Sequence, residues 1–237
     1  MLDPLFGEAI EAREFDVLTS EEKADLARLI DQFRRDPSQR LAILDRIESD
    51  YYGVEILPFV RELLGGHDEA LKVSAVDLLG GNTSPEILPL LETALTDPSR
   101  DVRISAVGAS AQVRDDRFVN FLARAFEDED SSVRLAGLDI LESQTKNNRF
   151  KVYEKALQST HEDVNLNAIT SLETEWTADI VPPLIEALKS PHPEVRQEAR
   201  AALEFQFDRD FQNSDEAAKW WSANRERYDR DLFPRDE

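Results

Sequence analysis

The sequence predicts an all-α fold, a right-handed α-α superhelix (solenoid) of about six helix pairs followed by a C-terminal capping helix. Two observations carry this prediction. A residue pattern recurs at a fixed interval over five consecutive units, and each unit holds two apolar stretches at helical spacing with turn-forming residues between them. Because small repeats are stabilised by their neighbours, residues 1–237 are expected to form a single stacked domain.

The repeat is defined by an anchor residue near the start of the second helix of each unit. The anchors are Leu71, Val102, Val133, Val164 and Val195, each 31 residues after the previous one (for example 102 − 71 = 31). A small residue lies four positions after each anchor: Ala75, Ala106, Gly137, Ala168 and Ala199. On a helical wheel of about 100° per residue, these two positions share one side, which is expected to face the core.

Residues 1–53 are expected to form divergent helices at the N-terminal end of the stack. A short helix and a linker are predicted for Leu2 to Val17, and a longer helix runs from a capping box at Thr19 and Glu22 to about Arg35. A turn at residues 36–38 leads to another helix, which is marked by apolar residues: Leu41, Ile43, Leu44 and Ile47. Terminal repeats commonly deviate in this way because one of their faces meets water.

Residues 54–207 contain the five regular repeats. Their first helices are expected to begin near Val54, Ser84, Asp116, Asn148 and Ala178, and their second helices near Glu69, Arg100, Ser131, Glu162 and Glu194. Three first helices carry proline in the first turn, where the backbone nitrogen of a helix has no helical partner. Asp, Ser and Pro in the connecting turns stop one helix and cap the next.

Residues 208–237 are expected to cap the C-terminal end of the stack. A last helix is predicted from Asp215 to about Tyr228, and it carries Trp220 and Trp221. These aromatic side chains are expected to cover the exposed end of the core, because aromatic residues bury a large area wherever they pack. The alternative is an aromatic patch that binds a partner.

The pattern resembles HEAT repeats, most closely the short bacterial type called the phycobilisome-lyase HEAT-like repeat. The resemblance depends on the segments that open two second helices, Asp97 to Arg103 (DPSRDVR) and Ser190 to Arg196 (SPHPEVR), and on the small residue four positions after the anchor. It covers residues 54–206 well and residues 20–50 loosely. Proteins of this architecture include adaptors, bilin lyases, an iron hydroxylase and DNA-repair glycosylases, so the resemblance implies a fold and leaves the function open.

The charge balance excludes some kinds of partner. The chain carries 28 basic and 49 acidic side chains, a net charge of −21. Binding to nucleic acid or to an anionic membrane surface needs clustered Lys and Arg, so neither is expected. No cysteine, signal-peptide pattern or membrane-length apolar stretch is present in the sequence, and a cytoplasmic location is expected.

The sequence contains no pattern typical of an active site. It has no cysteine, no Gly-x-Ser-x-Gly elbow and no glycine-rich phosphate loop. The three histidines, His67, His161 and His192, fall in the turns between helices. In the iron hydroxylases of this fold, His-Glu pairs on several helices hold the metal, and here His161-Glu162 is the single such pair. We therefore expect no catalytic residues, no metal and no cofactor.

An arginine ladder is predicted at the residue after the anchor. Arg103, Arg134 and Arg196 are expected to reach aspartates such as Asp97 and Asp128, or carbonyl groups, in the turns, because guanidinium groups match such acceptors. Asn165 interrupts this ladder.

The candidate binding site is an aliphatic ribbon on the second helices, two positions after the anchor. Its members are Val73, Ile104, Leu135 and Leu166, and the carboxylates expected beside them are Asp77, Asp139, Glu142 and Glu173. This position lies about 200° from the anchor on the helical wheel and is expected on the concave surface. The alternative is that superhelical curvature buries the ribbon.

These features predict a non-catalytic protein-binding scaffold or adaptor. Its partner is expected to be a protein that presents apolar and basic residues to the concave face, as a helix or an extended segment. One alternative is a bilin lyase or another tetrapyrrole-handling protein. A second is an acidic inhibitor or immunity protein of a basic enzyme. A monomer is favoured, although the sequence leaves the oligomeric state open.

Overall fold

The computed structural model describes residues 18–51, 53–175 and 177–235, without the side chains of residues 142, 143, 146 and 147. The helix predicted for Leu2 to Val17 lies outside these residues. The described part contains six helix pairs and a thirteenth helix, and its sole β-pairing is an isolated bridge between Tyr228 and Pro234. The predicted all-α solenoid class is therefore confirmed. The chain divides into two compact units, Met1–Asp115 and Asp116–Glu237.

Three helix pairs form the first unit. Its helices are α1 Ser20–Arg35, α2 Arg40–Asp50, α3 Leu57–Leu64, α4 Glu69–Asp77, α5 Leu88–Ala94 and α6 Arg100–Ala109. The two helices of each pair pack on each other, and the second helices α2, α4 and α6 also pack side by side. The first helices α3 and α5 form the other layer of this unit.

The second unit contains three further pairs and the last helix. Its helices are α7 Arg117–Ala125, α8 Ser131–Asp139, α9 Lys146–Ala156, α10 Glu162–Glu173, α11 Val181–Ala187, α12 Pro193–Phe207 and α13 Ser214–Asn224. The second helices α8, α10 and α12 pack in sequence, α7 packs on α9, and α13 packs on α11. Single turns of 3-10 helix precede several helices, including α11.

Side-chain caps explain where the helices begin. The predicted capping box at α1 is present, since the Thr19 hydroxyl accepts from the Glu22 N–H and the Glu22 carboxylate accepts from the Thr19 N–H. Similar caps start α4, α6, α8, α9 and α13, where the side chains of Asp68, Ser99, Asp130, Thr145 and Asn213 accept backbone hydrogen bonds. The five second helices begin at or next to the predicted residues.

The core follows the repeat register. Four anchors and all five small residues that follow them are buried, and Leu71 is half-buried. Gly137 is needed at its core position, because a β-carbon there would lie 2.8 Å from Cε1 of the buried Phe126. One apolar residue of the first pair behaves otherwise: Leu41 is 64% exposed, while Ile43, Leu44 and Ile47 fill the core side of α2.

The C-terminal segment closes on an aromatic cluster around Phe207. The Phe207 ring centre lies 4.9 Å from that of Trp220, 5.5 Å from that of Trp221 and 5.4 Å from that of Tyr228. The last helix ends at Asn224, earlier than predicted, because the tail turns back. The Ala178 N–H then donates to the Arg230 carbonyl at 2.7 Å, which fixes the tail at the start of α11.

Candidate protein-binding surfaces

In the first unit, the predicted ribbon positions lie on two adjacent second helices. Val73 on α4 and Ile104 on α6 are both half-buried, so each presents part of its side chain to solvent. Asp77 is exposed and lies four residues after Val73, on the same side of α4. This surface therefore combines aliphatic groups with a carboxylate, as the sequence predicts for the candidate site.

The electrostatic environment of Asp77 is unfavourable for its charge. Partial burial and the nearby Glu48 carboxylate raise the pKa of Asp77, and the Ser105 hydrogen bond offsets part of this effect. No lysine or arginine forms an ion pair with Asp77 or Glu48 within the described residues. The first unit thus carries two neighbouring carboxylates that lack a basic partner.

The exposed side of α2 extends this surface. Leu41, Asp45 and Glu48 are exposed and lie three or four residues apart, so they share one helix face. The sequence pattern did not reveal this role for Leu41, because the first helix pair departs from the regular register. We use the name first-unit surface for the exposed and half-buried residues on this side of α2, α4 and α6: Leu41, Asp45, Glu48, Val73, Asp77, Ile104 and Gly108.

The second unit carries a corresponding surface on α8 and α10. Leu135 and Leu166 are half-buried, and Asp139 and Glu173 are exposed. Partial burial and the charge of Glu198 raise the pKa of Glu173. The Glu142 side chain lies outside the described part of the structure. The continuity of the four-residue ribbon across the two units stays a prediction.

The arginines after the anchors bind the turns of their own repeats. The Arg103 guanidinium donates to the carbonyls of Asp97 and Pro98 at 3.0 and 3.2 Å. Arg134 donates in the same way to the carbonyls of Asp128 and Glu129 at 2.8 and 3.1 Å. Arg196 donates to those of Ser190 and Pro191 at 2.7 and 3.0 Å. These side chains therefore stabilise the inter-helix turns.

Asn165 performs the same task with a shorter side chain. Its amide donates to the carbonyls of Ala156 and Ser159 at 2.7 and 3.2 Å, and the side chain is buried. The turn is thus held without an arginine. The sequence register alone did not reveal this equivalence, because it depends on the distance between the side chain and the turn.

Two ion pairs connect neighbouring repeats. Lys72 reaches Asp97 at 2.6 Å, and Arg134 reaches Asp163 at 2.6 Å. Burial would raise the pKa of both carboxyl groups, but the hydrogen bonds and charges of Lys72 and Arg134 outweigh it, and both pKa values are lowered. These contacts fix the spacing between adjacent repeats in each unit.

The histidines lie in or beside the turns, as predicted. His192 Nε2 is 3.2 Å from the Thr160 carbonyl, and His67 is exposed. Within the described residues, no three His, Cys, Asp or Glu side chains are placed to hold a metal ion. None of the helices in this part of the chain combines the length and apolar character needed to cross a membrane.

Two depressions of 510 and 460 Å³ adjoin each other beside α13 in the second unit. Both are lined by Pro182, Trp221 and Arg225, and the Arg225 guanidinium lies 5.3 Å from the Trp221 ring centre. The charged residues that line the two depressions include acidic and basic side chains in similar number, among them Lys151, Glu154, Asp179, Glu226 and Arg230. The charges at this location therefore favour no particular ligand.

The stacked helix pairs place the chain in the class of α-solenoid repeat proteins. A family model for HEAT repeats matches residues 56–142, less than half of the chain, and this match supports a HEAT-repeat protein. The matched stretch includes helices α3 to α8. No curated protein matches the chain. The finer resemblance to phycobilisome-lyase HEAT-like repeats stays a prediction.

Proposed function

We propose that this protein is a non-catalytic protein-binding scaffold that uses the solvent-facing sides of its second helices. One observation carries the proposal: aliphatic side chains are partly exposed at the same repeat position in both units, and exposed carboxylates lie on the same or neighbouring helices, of which Asp77 and Glu173 have a raised pKa. A core residue would be fully buried and a solvated face would be polar, so this position fits neither role. HEAT repeats commonly serve as interaction scaffolds, which agrees with it.

The chemistry of these surfaces defines the proposed partner. Partly exposed leucine, isoleucine and valine favour apolar anchors, and unpaired carboxylates favour lysine or arginine beside those anchors. The partner is therefore a protein segment with apolar and basic residues. A cytoplasmic location and a monomeric state accompany this proposal as expectations.

The test is affinity capture followed by affinity measurement on each captured protein, using the wild type and matched variants. Ile104→Glu alters the first-unit surface and Leu135→Glu alters the second. Gln197→Glu is the control, because Gln197 is an exposed polar residue at the same repeat position. We expect the substitution in the unit that binds the partner to weaken the affinity for that partner roughly tenfold or more, and the control to leave the affinity unchanged.

The same experiment separates the alternatives. If every captured protein binds both variants with native affinity, the second-helix proposal is wrong. A complex with one basic enzyme that dissociates with salt alone would indicate acidic mimicry instead. Visible absorbance that stays with the protein after unbound bilin is removed by gel filtration would indicate a tetrapyrrole-handling protein.

A further inference from the structure

We propose that the first-unit surface binds a lysine- or arginine-rich amphipathic α-helix, whose backbone crosses α6 at Gly108. This inference rests on the proposed function and specifies the form and position of its partner. It depends on the surroundings of Gly108, on the apolar residues beside it and on the charges of α2 and α4.

Gly108 is exposed and lies in the last turn of α6, two residues before the helix continues into a 3-10 turn at Ser110–Gln112. Its backbone has no left-handed conformation to accommodate, since Gly81 is the one glycine with positive φ among the described residues. A β-carbon at Gly108 would meet no neighbouring group within 4 Å. Neither backbone geometry nor packing therefore requires glycine here. Glycine also destabilises a helix relative to alanine, so its presence has a cost for the free protein. Because Gly108 has no side chain, it leaves the backbone of α6 accessible at this one position, which we call the low point of the surface.

The low point lies among the apolar residues of the surface. Ile104 precedes Gly108 by one helical turn, and Val73 occupies the same repeat position as Ile104 on the adjacent helix α4. Small residues at a crossing point let two helix backbones approach closely, while larger apolar residues beside them supply the buried area. A partner helix over Gly108 would therefore cover Ile104 and Val73.

The charges of this surface select a basic partner. Asp45, Glu48 and Asp77 are exposed on α2 and α4. The three basic residues of these helices are occupied elsewhere: Arg46 pairs with Asp25 and Asp50, Lys72 pairs with Asp97, and Arg40 donates to the Phe33 carbonyl. The carboxylates thus complement lysine or arginine on the flank of the partner helix that faces α2 and α4.

A helical partner fits this surface better than an extended one. The backbone groups of α4 and α6 are bonded within their own helices, and the described residues of the first unit include no strand edge. An extended segment would therefore find no backbone groups with which to pair. A helix satisfies its own backbone groups and needs no such edge.

The second unit lacks this low point. At the repeat position of Gly108 it carries Asp139, Thr170 and Ala201, all exposed and all with a β-carbon. Thr170 is therefore a matched site for a control substitution. Its use separates an effect at the first-unit surface from a general effect of added bulk on a second helix.

The test measures binding of fluorescein-labelled helical peptides to the full-length protein by fluorescence anisotropy. The probe is a designed peptide of about 18 residues, roughly 27 Å long as a helix, with a leucine and alanine stripe between lysine flanks. Two peptides serve as controls: one replaces every lysine by glutamate, and the other keeps the lysines but carries two central prolines that break the helix. The protein variants are Gly108→Gln, Thr170→Gln, Asp77→Asn and Ile104→Glu.

We expect the lysine peptide to bind wild-type protein and the Thr170→Gln variant equally, and the two control peptides to bind weakly. Gly108→Gln should weaken binding roughly tenfold or more because it prevents close approach, and Asp77→Asn should weaken it by a smaller factor. Circular dichroism checks that each variant keeps its helix content. If the proline peptide binds as well as the helical one, or if no peptide binds, the inference is wrong.

The variants distinguish this inference from the proposed function. If Ile104→Glu abolishes binding while Gly108→Gln leaves it unchanged, the second-helix surface binds a partner but the close crossing at Gly108 is wrong. If neither substitution changes binding of any peptide or captured protein, both the inference and the binding role of this surface are wrong.

Discussion

Gly108 and Gly137 both lie inside α-helices, but an added methyl group meets different surroundings at the two positions. At Gly108 it meets open space, and at Gly137 it lies 2.8 Å from Phe126. We expect Gly108→Ala to stabilise the protein by about 0.5–1 kcal/mol, the usual gain of alanine over glycine in a helix. Gly137→Ala should destabilise it by about 1 kcal/mol, because overpacking a core exceeds that gain.

Urea denaturation of the two variants beside wild type measures both effects. The two substitutions are chemically identical, so they control for each other. A loss of stability in Gly108→Ala would indicate that Gly108 has a structural role in the free protein, and the case for a binding role would then lose its support.

The buried ion pair between Lys72 and Asp97 should make stability depend on pH. The two side chains are 14% and 9% exposed, and the pKa of Asp97 lies below its ordinary value of 3.8. A lowered carboxyl pKa stabilises the folded state above the ordinary value, and this contribution is lost as the pH falls through the lowered pKa. Asp97→Asn should therefore cost about 1–3 kcal/mol at neutral pH, and this cost should shrink as the pH falls through the lowered pKa of Asp97.

Asp101→Asn provides the matched control for this prediction. Asp101 also forms an ion pair, with Arg100 at 3.0 Å, but both side chains are more than half exposed. Exposed pairs contribute about 0–1 kcal/mol, so this change should be small at every pH. Thermal denaturation across the pH range measures both variants. Equal losses for the two would show that burial of the Lys72 pair has no special effect.

At the scale of helices, the sequence predicted the positions of the helices and of the buried residues that follow the 31-residue repeat. The anchors Val102 and Val164 are buried because a strict register places them on the inner side of every second helix. Exposure of Leu41 was not predictable, because the first pair leaves the register and its neighbours fill the core. The role of Asn165 was also missed, since a hydrogen bond to a turn depends on three-dimensional distance. Partial exposure of Ile104 could not be predicted either, because it depends on how closely the adjacent helices pack.

The docking of α13 should depend on Phe207, which contacts Trp220, Trp221 and Tyr228. Phe207 is half-buried, so Phe207→Ala should cost about 2 kcal/mol, less than the roughly 3–5 kcal/mol of a fully buried ring. Tryptophan emission should shift to the red as the indole rings become hydrated. Chemical denaturation followed by fluorescence measures both quantities.

Phe205 offers a control two residues away on the same helix. It is 75% exposed, so Phe205→Ala should change stability by less than about 0.5 kcal/mol and leave the tryptophan emission unchanged. If Phe207→Ala and Phe205→Ala have equal effects, the aromatic cluster does not hold α13 in place. A large effect of Phe205→Ala would assign that exposed ring a structural contact.

At the scale of the whole molecule, net charge opposes folding and favours a basic partner. The chain carries a net charge of −21, and like charges lie closer together in a folded protein than in an unfolded one. Ion pairs such as Arg134 with Asp163 relieve this repulsion locally. Asp77 and Glu48 on the first-unit surface form no such ion pair within the described residues, so they remain available to a basic partner.

Salt should therefore affect folding and binding in opposite directions. Raising sodium chloride from about 0.01 M to about 0.15 M shortens the screening length from roughly 30 Å to 8 Å, so the melting temperature should rise as repulsion weakens. Association with the lysine peptide should become slower over the same range, because its attraction is screened as well. Differential scanning calorimetry and stopped-flow fluorescence measure the two effects. The dependence of this effect on pH provides a control. Near the sequence pI of about 4.5 the net charge vanishes, and the effect of salt on the melting temperature should vanish with it.

A melting temperature that falls with salt at neutral pH would contradict the prediction, because it would mean that attractive ion pairs dominate the stability of the molecule.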